Sequence, residues 1–270
     1  MQLNRTNKAI TGTTTNVALL KLALTDFAAK TPLTITLDGA PAIAYTTVSA
    51  QDTLFLHREN SQWQLAQRPA VAQKGPHRNG TFKDAFTNRM VFVYGTKGTK
   101  EENDLNLQKA RYDAETWYYR GNGAIDMVPD TDYSLATYAN RGVVLFGNAT
   151  NNAAWKQLLA DCPIQLERNR VRAGDQQWQG DDLAAYFVWP IKGSATTSVA
   201  VIGGTGVKGM RAALANQYFA GASGFPDFMI FGLDMVRTGS KGVRMAGFFD
   251  NDWKLAPEQY RINGQTSERQ

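Results

Sequence analysis

A glycine-rich segment at residues 199–210, VAVIGGTGVKGM, has the most familiar chemical spacing in the chain. Its residues 204–209 match the GxGxxG pattern with which a strand-to-helix turn binds the pyrophosphate of a dinucleotide. Such a site also needs an acidic residue about 20 positions on, at the end of the next strand. Asp227 comes before its strand, and Asp234 ends the strand but lies thirty residues after Gly204. The motif therefore predicts a tight strand-to-helix turn, with dinucleotide binding as the alternative.

A second glycine loop, YGTKGTKEEN at residues 94–103, precedes a predicted helix. The free amide groups of a helix N-terminus, together with Lys97 and Lys100, would suit an anion. The spacing of a Walker loop is absent, and Glu101 and Glu102 already bring negative charge to this helix end. An anion site and an ordinary helix start are both open interpretations of this loop.

Nucleophilic and metal chemistry find little support in the sequence. No GxSxG is present, and the only histidines, His57 and His77, both precede residue 80, so no Ser-His-Asp triad is expected. A single cysteine, Cys162, excludes an internal disulfide and a cysteine-based metal knuckle. The acidic clusters at 126–132, 180–183 and 248–253 lack EF-hand spacing and are interpreted as turn and capping residues. We predict no catalytic residue, no metal and no cofactor.

Charge and hydropathy exclude two further classes of partner. The net charge of +5, from 29 basic and 24 acidic residues, is dispersed, without a basic run that would follow a phosphate backbone. Nucleic acid is therefore not expected as a partner. No apolar stretch reaches the roughly 18 residues that a membrane span needs, and the first residues lack the apolar core of a signal peptide. We expect no membrane partner.

The elements that must position any site divide the sequence at about residue 80. Short strands with turn residues between them are predicted at 32–39, 41–48, 53–59 and 63–69, which indicates a small antiparallel β module over residues 1–80. This module includes the start of a polar linker at 74–84. The remaining residues, 81–270, are assigned to a second domain.

In this second domain, apolar strands ending in turn residues alternate with helical patterns. Strands are predicted at 90–95, 124–130, 142–148, 199–204 and 227–232. Thr99 and Glu102 form a capping box for a helix whose apolar face is predicted to include Ala110, Ala114 and Tyr118. Strand, helix and strand in alternation predict an α/β fold: an open, mostly parallel sheet with flanking helices, of flavodoxin or Rossmann type. The apolar segment LAAYFVWP was placed in a hairpin-like excursion outside this pattern.

Ligands of such sheets bind beyond the carboxyl ends of the strands. The predicted cleft is therefore built from the residues that follow the strands: Gly95, Thr96, Lys97, Asp130, Asn148, Gly204, Thr205 and Gly206. The aromatic segment WYYRGNG at 117–123 has two interpretations, a binding face or part of the helix core.

Six segments of the chain together resemble one family. They are KGPHRNGTFKDAF (74–86), FVYGTKGTKEEN (92–103), ARYDAETWYYRGNG (110–123), VPDTDY (128–133), GVVLFGNATNNAAW (142–155) and AGFFDNDW (246–253). The chain resembles the C-terminal region of large bacterial prolyl-oligopeptidase-like serine hydrolases, which are multidomain α/β-hydrolase proteins and usually exported. The resemblance extends over nearly the whole chain.

This resemblance implies a hydrolase parent whose nucleophile, acid and histidine lie in an upstream α/β-hydrolase domain of the same polypeptide. It gives no catalytic residue to the present chain. The expected function is that of an accessory, non-catalytic segment of a peptidase or esterase, which packs on the catalytic domain or presents substrate to it. A nucleotide- or anion-binding domain that uses the strand-end glycine loops is the alternative. From the abrupt start of the sequence we expect a fragment of a longer protein, and a native and an introduced Met1 are both open interpretations.

Overall fold

The structure is a computed structural model that describes residues 1–214, 218–219 and 224–264. The chain divides into two compact units, Met1–Ala70 and Val71–Gln270. Each has its own apolar core, and each is described separately below.

The first unit consists of strands only. They are β1 (Gln2–Asn4), β2 (Ala9–Gly12), β3 (Leu19–Ala23), β4 (Pro32–Leu37), β5 (Ile43–Thr46), β6 (Thr53–Glu59) and β7 (Gln62–Ala66). They form a four-stranded sheet in the order β1-β2-β4-β5 and a three-stranded sheet in the order β3-β6-β7. The expectation of a purely antiparallel module is corrected at one pair, because β2 and β4 run parallel.

The second unit is organised around one eight-stranded sheet. Its strands in chain order are β8 (Met90–Tyr94), β9 (Asp126–Pro129), β10 (Gly142–Phe146), β14 (Leu183–Pro190), β15 (Ser198–Gly204), β16 (Phe228–Gly232), β17 (Val243–Gly247) and β18 (Tyr260–Ile262). Between β10 and β14 the chain forms a separate antiparallel sheet of β11 (Ile164–Glu167), β12 (Arg170–Ala173) and β13 (Gln176–Gln179). The order across the large sheet is β18-β17-β16-β14-β15-β10-β8-β9.

Helices contribute less than the sequence pattern predicts. The α-helices are α1 (Lys100–Gly121), α2 (Trp155–Leu159), α3 (Val207–Leu214) and α4 (Met235–Thr238), and 3₁₀ turns occupy Phe82–Phe86, Gly239–Gly242 and Pro257–Gln259. The helix predicted after β15 was expected to reach Tyr218, but residues 215–217 lie outside the described part of the chain. No helix within the described residues is long and apolar enough to span a membrane.

The predicted flavodoxin- or Rossmann-like fold is wrong. About 35% of the structure is strand and 20% is helix, and the large sheet is mixed. The strands β9, β8, β10 and β15 are parallel, whereas β14, β16, β17 and β18 add to the sheet in antiparallel pairs. The segment LAAYFVWP, interpreted as an excursion, is the central strand β14. A strand buried on both faces has the same continuous apolar sequence in either orientation, so the pattern could not tell the two sheets apart.

The buried face of α1 also differs from the predicted one. Its inward positions hold Glu102, Asn106, Lys109, Ala110 and Asp113, which are mostly polar. Of the predicted apolar face, Ala110 is buried and Ala114 is partly buried, whereas Tyr118 is exposed. Hydrophobic periodicity locates the inner face of a helix only when that face is apolar. Here the buried polar groups form ion pairs and hydrogen bonds with partners instead.

Candidate functional site

The predicted cleft lies at the carboxyl ends of the parallel strands, and polar side chains of the protein itself fill it. Asp130, which follows β9, is buried and accepts hydrogen bonds from the N–H and the Oγ1 of Thr96, at 3.0 and 2.5 Å, and from the N–H of Ala153. These bonds tie the loop after β8 to the segment after β10. The carboxylate of Asp130 is therefore already fully engaged within the fold.

Asparagine side chains close the neighbouring strand ends in the same way. Asn148 is fully buried, and its Nδ2 donates to the carbonyl of Gly204 at 2.8 Å, which links the end of β10 to the end of β15. Its Oδ1 accepts from the N–H groups of Thr150 and Asn151. Asn152 donates to the carbonyls of Val93 and Phe146 at 3.2 and 3.0 Å. Each amide satisfies backbone groups that strand ends leave free.

The remaining predicted cleft residues are also in contact with the protein. Lys97 is exposed, and its N–H donates to the carbonyl of Asn151 at 2.9 Å. Thr205 is fully buried and bonds through its backbone and its hydroxyl to Leu183. A Cβ at Gly95 would meet the carbonyl of Asn151. The structure thus brings the predicted residues together at one edge, but a nucleotide or anion there would have to displace their present partners.

The GxGxxG segment is a tight strand-to-helix turn, as the first interpretation had it. β15 ends at Gly204 and α3 begins at Val207. A Cβ at Gly204 would meet the backbone of Met210, and one at Gly206 would lie 3.0 Å from the carbonyl of Asp181. A Cβ at Gly209 would meet the carbonyl of Leu183 on β14. The glycines are needed for close backbone packing, which accounts for their spacing without a ligand.

Substitution of Gly209 tests this packing explanation. We expect Gly209→Ala to lower the free energy of unfolding by about 1–3 kcal/mol, because the new methyl group overlaps the backbone of β14. The measurement is urea denaturation followed by tryptophan fluorescence. Gly224→Ala is the matched control, since a Cβ there meets no atom within 4 Å. Equal stability of both variants would contradict the role assigned to Gly209.

The N-terminus of α1 is occupied by the chain's own carboxylate. Thr99 and Glu102 form the predicted capping box, in which Thr99 Oγ1 accepts from the N–H of Glu102 and Glu102 Oε2 accepts from the N–H of Thr99 at 2.7 Å. Arg168 then donates to both oxygens of Glu102, at 3.1 and 2.7 Å. Burial acts to raise the pKa of Glu102, but Arg168 and the helix amide outweigh it, so the pKa is lowered. A second anion would compete with this carboxylate.

The groups that could act as nucleophile or base lie apart from the strand ends. Cys162 is buried, and burial raises the pKa of its thiol. His57 is exposed on β6 of the first unit, and the ring of His77 contacts the carbonyl of Val71 in the second. Among the described residues, no group of three or more His, Cys, Asp or Glu side chains could hold a metal ion.

A second polar network, which the sequence analysis missed, anchors the segment KGPHRNGTFKDAF. Asp227 is fully buried and accepts from the N–H of Thr81 at 2.6 Å, from the N–H of Phe249 at 2.8 Å, and from Lys74 Nζ. Lys74 Nζ also lies 5.0 Å from the ring centre of Trp253. Lys74 and the N–H groups of this network thus surround one carboxylate.

Arg78 and Asp84 extend this anchor. The buried Arg78 donates to the carbonyls of Ser194, Thr197 and Ala72, at 2.8, 3.2 and 3.3 Å. The Oγ of Ser198 donates to Asp84 at 2.6 Å. Burial raises the pKa of Asp84, partly offset by this hydrogen bond and by Arg78. The signal available in the sequence was three charged residues within eleven positions, Lys74, Arg78 and Asp84, but their burial was not predictable from it.

No protein-family model matches this chain, and no curated protein is significantly similar to it in sequence.

An open groove is found on another side of the second unit, between the C-terminal half of α1 and the strand β9. Its volume is ≈ 500 Å³, and its lining includes Arg111, Ala114, Tyr118, Tyr119, Ile125 and Met127. Of the two interpretations of WYYRGNG, core packing applies to Trp117, which contacts Phe219, while Tyr118 and Tyr119 are 61% and 84% exposed. None of the residues of the predicted strand-end cleft lines this groove.

Proposed function

We propose that this chain is an accessory, non-catalytic segment of a multidomain serine hydrolase of the peptidase or esterase type. In this proposal the catalytic triad belongs to a separate α/β-hydrolase domain, and the present chain packs on that domain or presents substrate to it. The proposal follows from the resemblance of the six sequence segments and from the positions that these segments occupy in the fold.

One observation supports the non-catalytic part of the proposal. In three of the six segments, residues that carry the resemblance are buried and bonded within the fold, whereas the segment at 110–123 contributes exposed residues to the open groove beside α1. Lys74, Arg78 and Asp84 anchor the first segment, and Asn148 and Asn152 seal the strand ends in another. The last segment contributes Phe249 and Trp253 to the apolar core. Such residues act in stability and shape, and a catalytic site needs a nucleophile within reach of a base.

The first test is an activity measurement on the purified chain. We expect no hydrolysis of p-nitrophenyl butyrate or of peptidyl p-nitroanilides above a mock preparation, and no labelling by a fluorophosphonate probe that reacts with activated serines. A labelled serine whose substitution by alanine abolishes turnover would refute the non-catalytic assignment.

The second test concerns the accessory role. The chain is mixed with the serine hydrolase domain that its gene, or the gene beside it, encodes, and the pair is passed through size-exclusion chromatography. We expect a complex, and a change in kcat/KM on a polymeric substrate with little change on p-nitrophenyl butyrate. Absence of a complex together with unchanged kinetics would refute this role even if the isolated chain is inactive.

A further inference from the structure

The groove beside α1 adjoins an unpaired edge of the large sheet. β9 pairs with β8 only, and it is the last strand of the sheet on that side in the described part of the chain. The N–H of Asp130 donates to the carbonyl of Tyr94 on β8 at 2.9 Å. Because alternate residues of a strand direct their backbone groups to opposite sides, Val128 also faces β8 and Met127 faces outward. β9 therefore presents the N–H and C=O of Met127 to an added strand.

The groove lies where the side chain of an added strand would reach. Ile125, which directly precedes β9, and Met127 on β9 line the groove together with Ala114 and Tyr118 of α1. The described residues of the second unit include eight large apolar side chains that are exposed. Four of them lie on α1: Leu107, Tyr112, Tyr118 and Tyr119. Peptides that extend a sheet gain affinity from main-chain hydrogen bonds and specificity from pockets for alternate side chains. The β9 edge offers main-chain groups for hydrogen bonds, and the groove beside it offers a pocket for a side chain.

The charges around this edge favour an acidic partner. Arg111 lines the groove, Arg120 follows Tyr119 on α1, and Arg89 and Arg141 both contact Asp126 at the start of β9. Against these four arginines stand three exposed carboxylates: Asp126 and Glu115, which are each paired with an arginine, and Asp132, just beyond β9. The excess of positive charge complements carboxylates on a bound chain and would disfavour a basic one.

We infer that the β9 edge and the adjoining tyrosine groove bind an extended, acidic polypeptide segment. The segment adds as a further strand beside β9, places an apolar side chain against Tyr118, and directs carboxylates toward the arginines. This binding goes beyond the proposed accessory role and does not depend on it, since the edge would recognise such a segment whatever protein carries it.

The experiment uses the full chain and an acetylated, amidated eight-residue peptide that alternates glutamate with valine and phenylalanine. Its affinity is measured by fluorescence anisotropy, and the protected amides are located by hydrogen exchange and mass spectrometry. We expect Tyr118→Ala to weaken binding about tenfold or more, as for an anchor residue in a pocket. Met127→Pro should do the same, because it removes the outward N–H, and proline is tolerated on edge strands. Amides of residues 123–128 should exchange more slowly in the complex.

Two controls make the result specific. Tyr112→Ala removes a tyrosine of similar exposure, 55%, from the same helix but outside the groove, and should change the affinity less than about twofold. The same peptide with lysine in place of glutamate should bind at least about tenfold more weakly. Equal losses in the two tyrosine variants, equal affinity for the lysine peptide, or no binding at a millimolar peptide concentration would overturn the inference. The inference would also be overturned if the chain formed concentration-dependent dimers without peptide and the β9 amides were protected in those dimers.

Discussion

Substitution of Asp113 by leucine is expected to lower the free energy of unfolding by about 3–5 kcal/mol. Asp113 and Lys109 form an ion pair of 2.8 Å on the buried face of α1, with their side chains 3% and 0% exposed. Removal of the carboxylate leaves the ammonium group of Lys109 buried without a counterion, next to the ring of Tyr218 at 4.9 Å. An unpaired charge in the protein interior is among the most destabilising changes that a single substitution can cause.

The double variant Lys109→Met/Asp113→Leu tests whether the loss of stability comes from the unpaired charge of Lys109 and not from loss of the ion pair itself. Because it removes both charges together and fills the site with apolar side chains, we expect a stability within about 1 kcal/mol of the unchanged chain, or above it. The four proteins of this cycle are compared by urea denaturation. Glu115→Leu is the control on the same helix, since the Arg111–Glu115 pair is exposed and should contribute less than about 0.5 kcal/mol. A double variant as unstable as Asp113→Leu would contradict this account.

The same pair has a signature in the pH dependence of stability. Burial raises the pKa of Asp113 to about 6, although the charge of Lys109 opposes this rise. The folded pKa lies above the unfolded value of about 3.9, so the folded state binds the additional proton between those two pH values. Relative to the double variant, the unchanged chain should therefore become more stable as the pH falls from about 7 to about 4. If the difference in the free energy of unfolding between the two proteins stays constant, or falls as the pH is lowered over this range, burial does not raise the pKa of Asp113.

The second large effect is expected at Asp227. We expect Asp227→Ala to lower the free energy of unfolding by about 3–5 kcal/mol, because three donors lose one fully buried acceptor. The N–H groups of Thr81 and Phe249 would be left without partners, and Lys74 would keep only the carbonyl of Phe249 and the ring of Trp253. The anchor of the segment at 74–86 would be lost with it.

The control for this substitution is Asp126→Ala. Asp126 also accepts from two cationic side chains, Arg89 and Arg141, but its own side chain is half-exposed. Its removal should cost no more than about 1 kcal/mol. Thermal denaturation by calorimetry measures both variants, and limited proteolysis after residues 74 and 78 reports on the anchored segment. If Asp227→Ala is no less stable than Asp126→Ala and is cut no faster, the anchor assigned to Asp227 is incorrect.

The sequence patterns located individual strands well but not the sheet that they form. The segments at β8, β10 and β15 were predicted as apolar strands that end in turn residues, and the capping box of Thr99 and Glu102 was predicted at the start of α1. The orientation of β14 and β16 was not predictable, because burial on both faces removes the alternation that marks antiparallel strands. The local signals are short-range, whereas strand order is decided by pairings between distant segments.

At the candidate site, too, the sequence predicted the positions of individual residues but not the contacts between distant segments. Thr96, Asp130, Asn148 and Gly204 were predicted to meet at one edge, and they do form hydrogen bonds with one another there. Whether that edge was open or filled depended on Asn151 and Asn152, whose side chains turn inward. Residue type alone indicates a turn for such asparagines and does not say which backbone groups they satisfy. The groove beside α1 agrees with the binding-face interpretation of WYYRGNG for Tyr118 and Tyr119, but the sequence did not decide between that interpretation and helix core, because the buried face of α1 is mostly polar.

The mixed arrangement of the large sheet has a consequence for the order in which it forms. β14 and β15, β16 and β17, and β17 and β18 are each neighbours along the chain as well as in the sheet, so these pairs close over short connections. The parallel pairs join strands with helices or a whole small sheet between them, and β10 meets β15 only across residues 147–197. Closure of a long connection costs more chain entropy before its contacts form. We therefore expect the pair β14–β15 and the hairpin-like set β16–β17–β18 to form early, and the pair β10–β15, with its long connection, to form later.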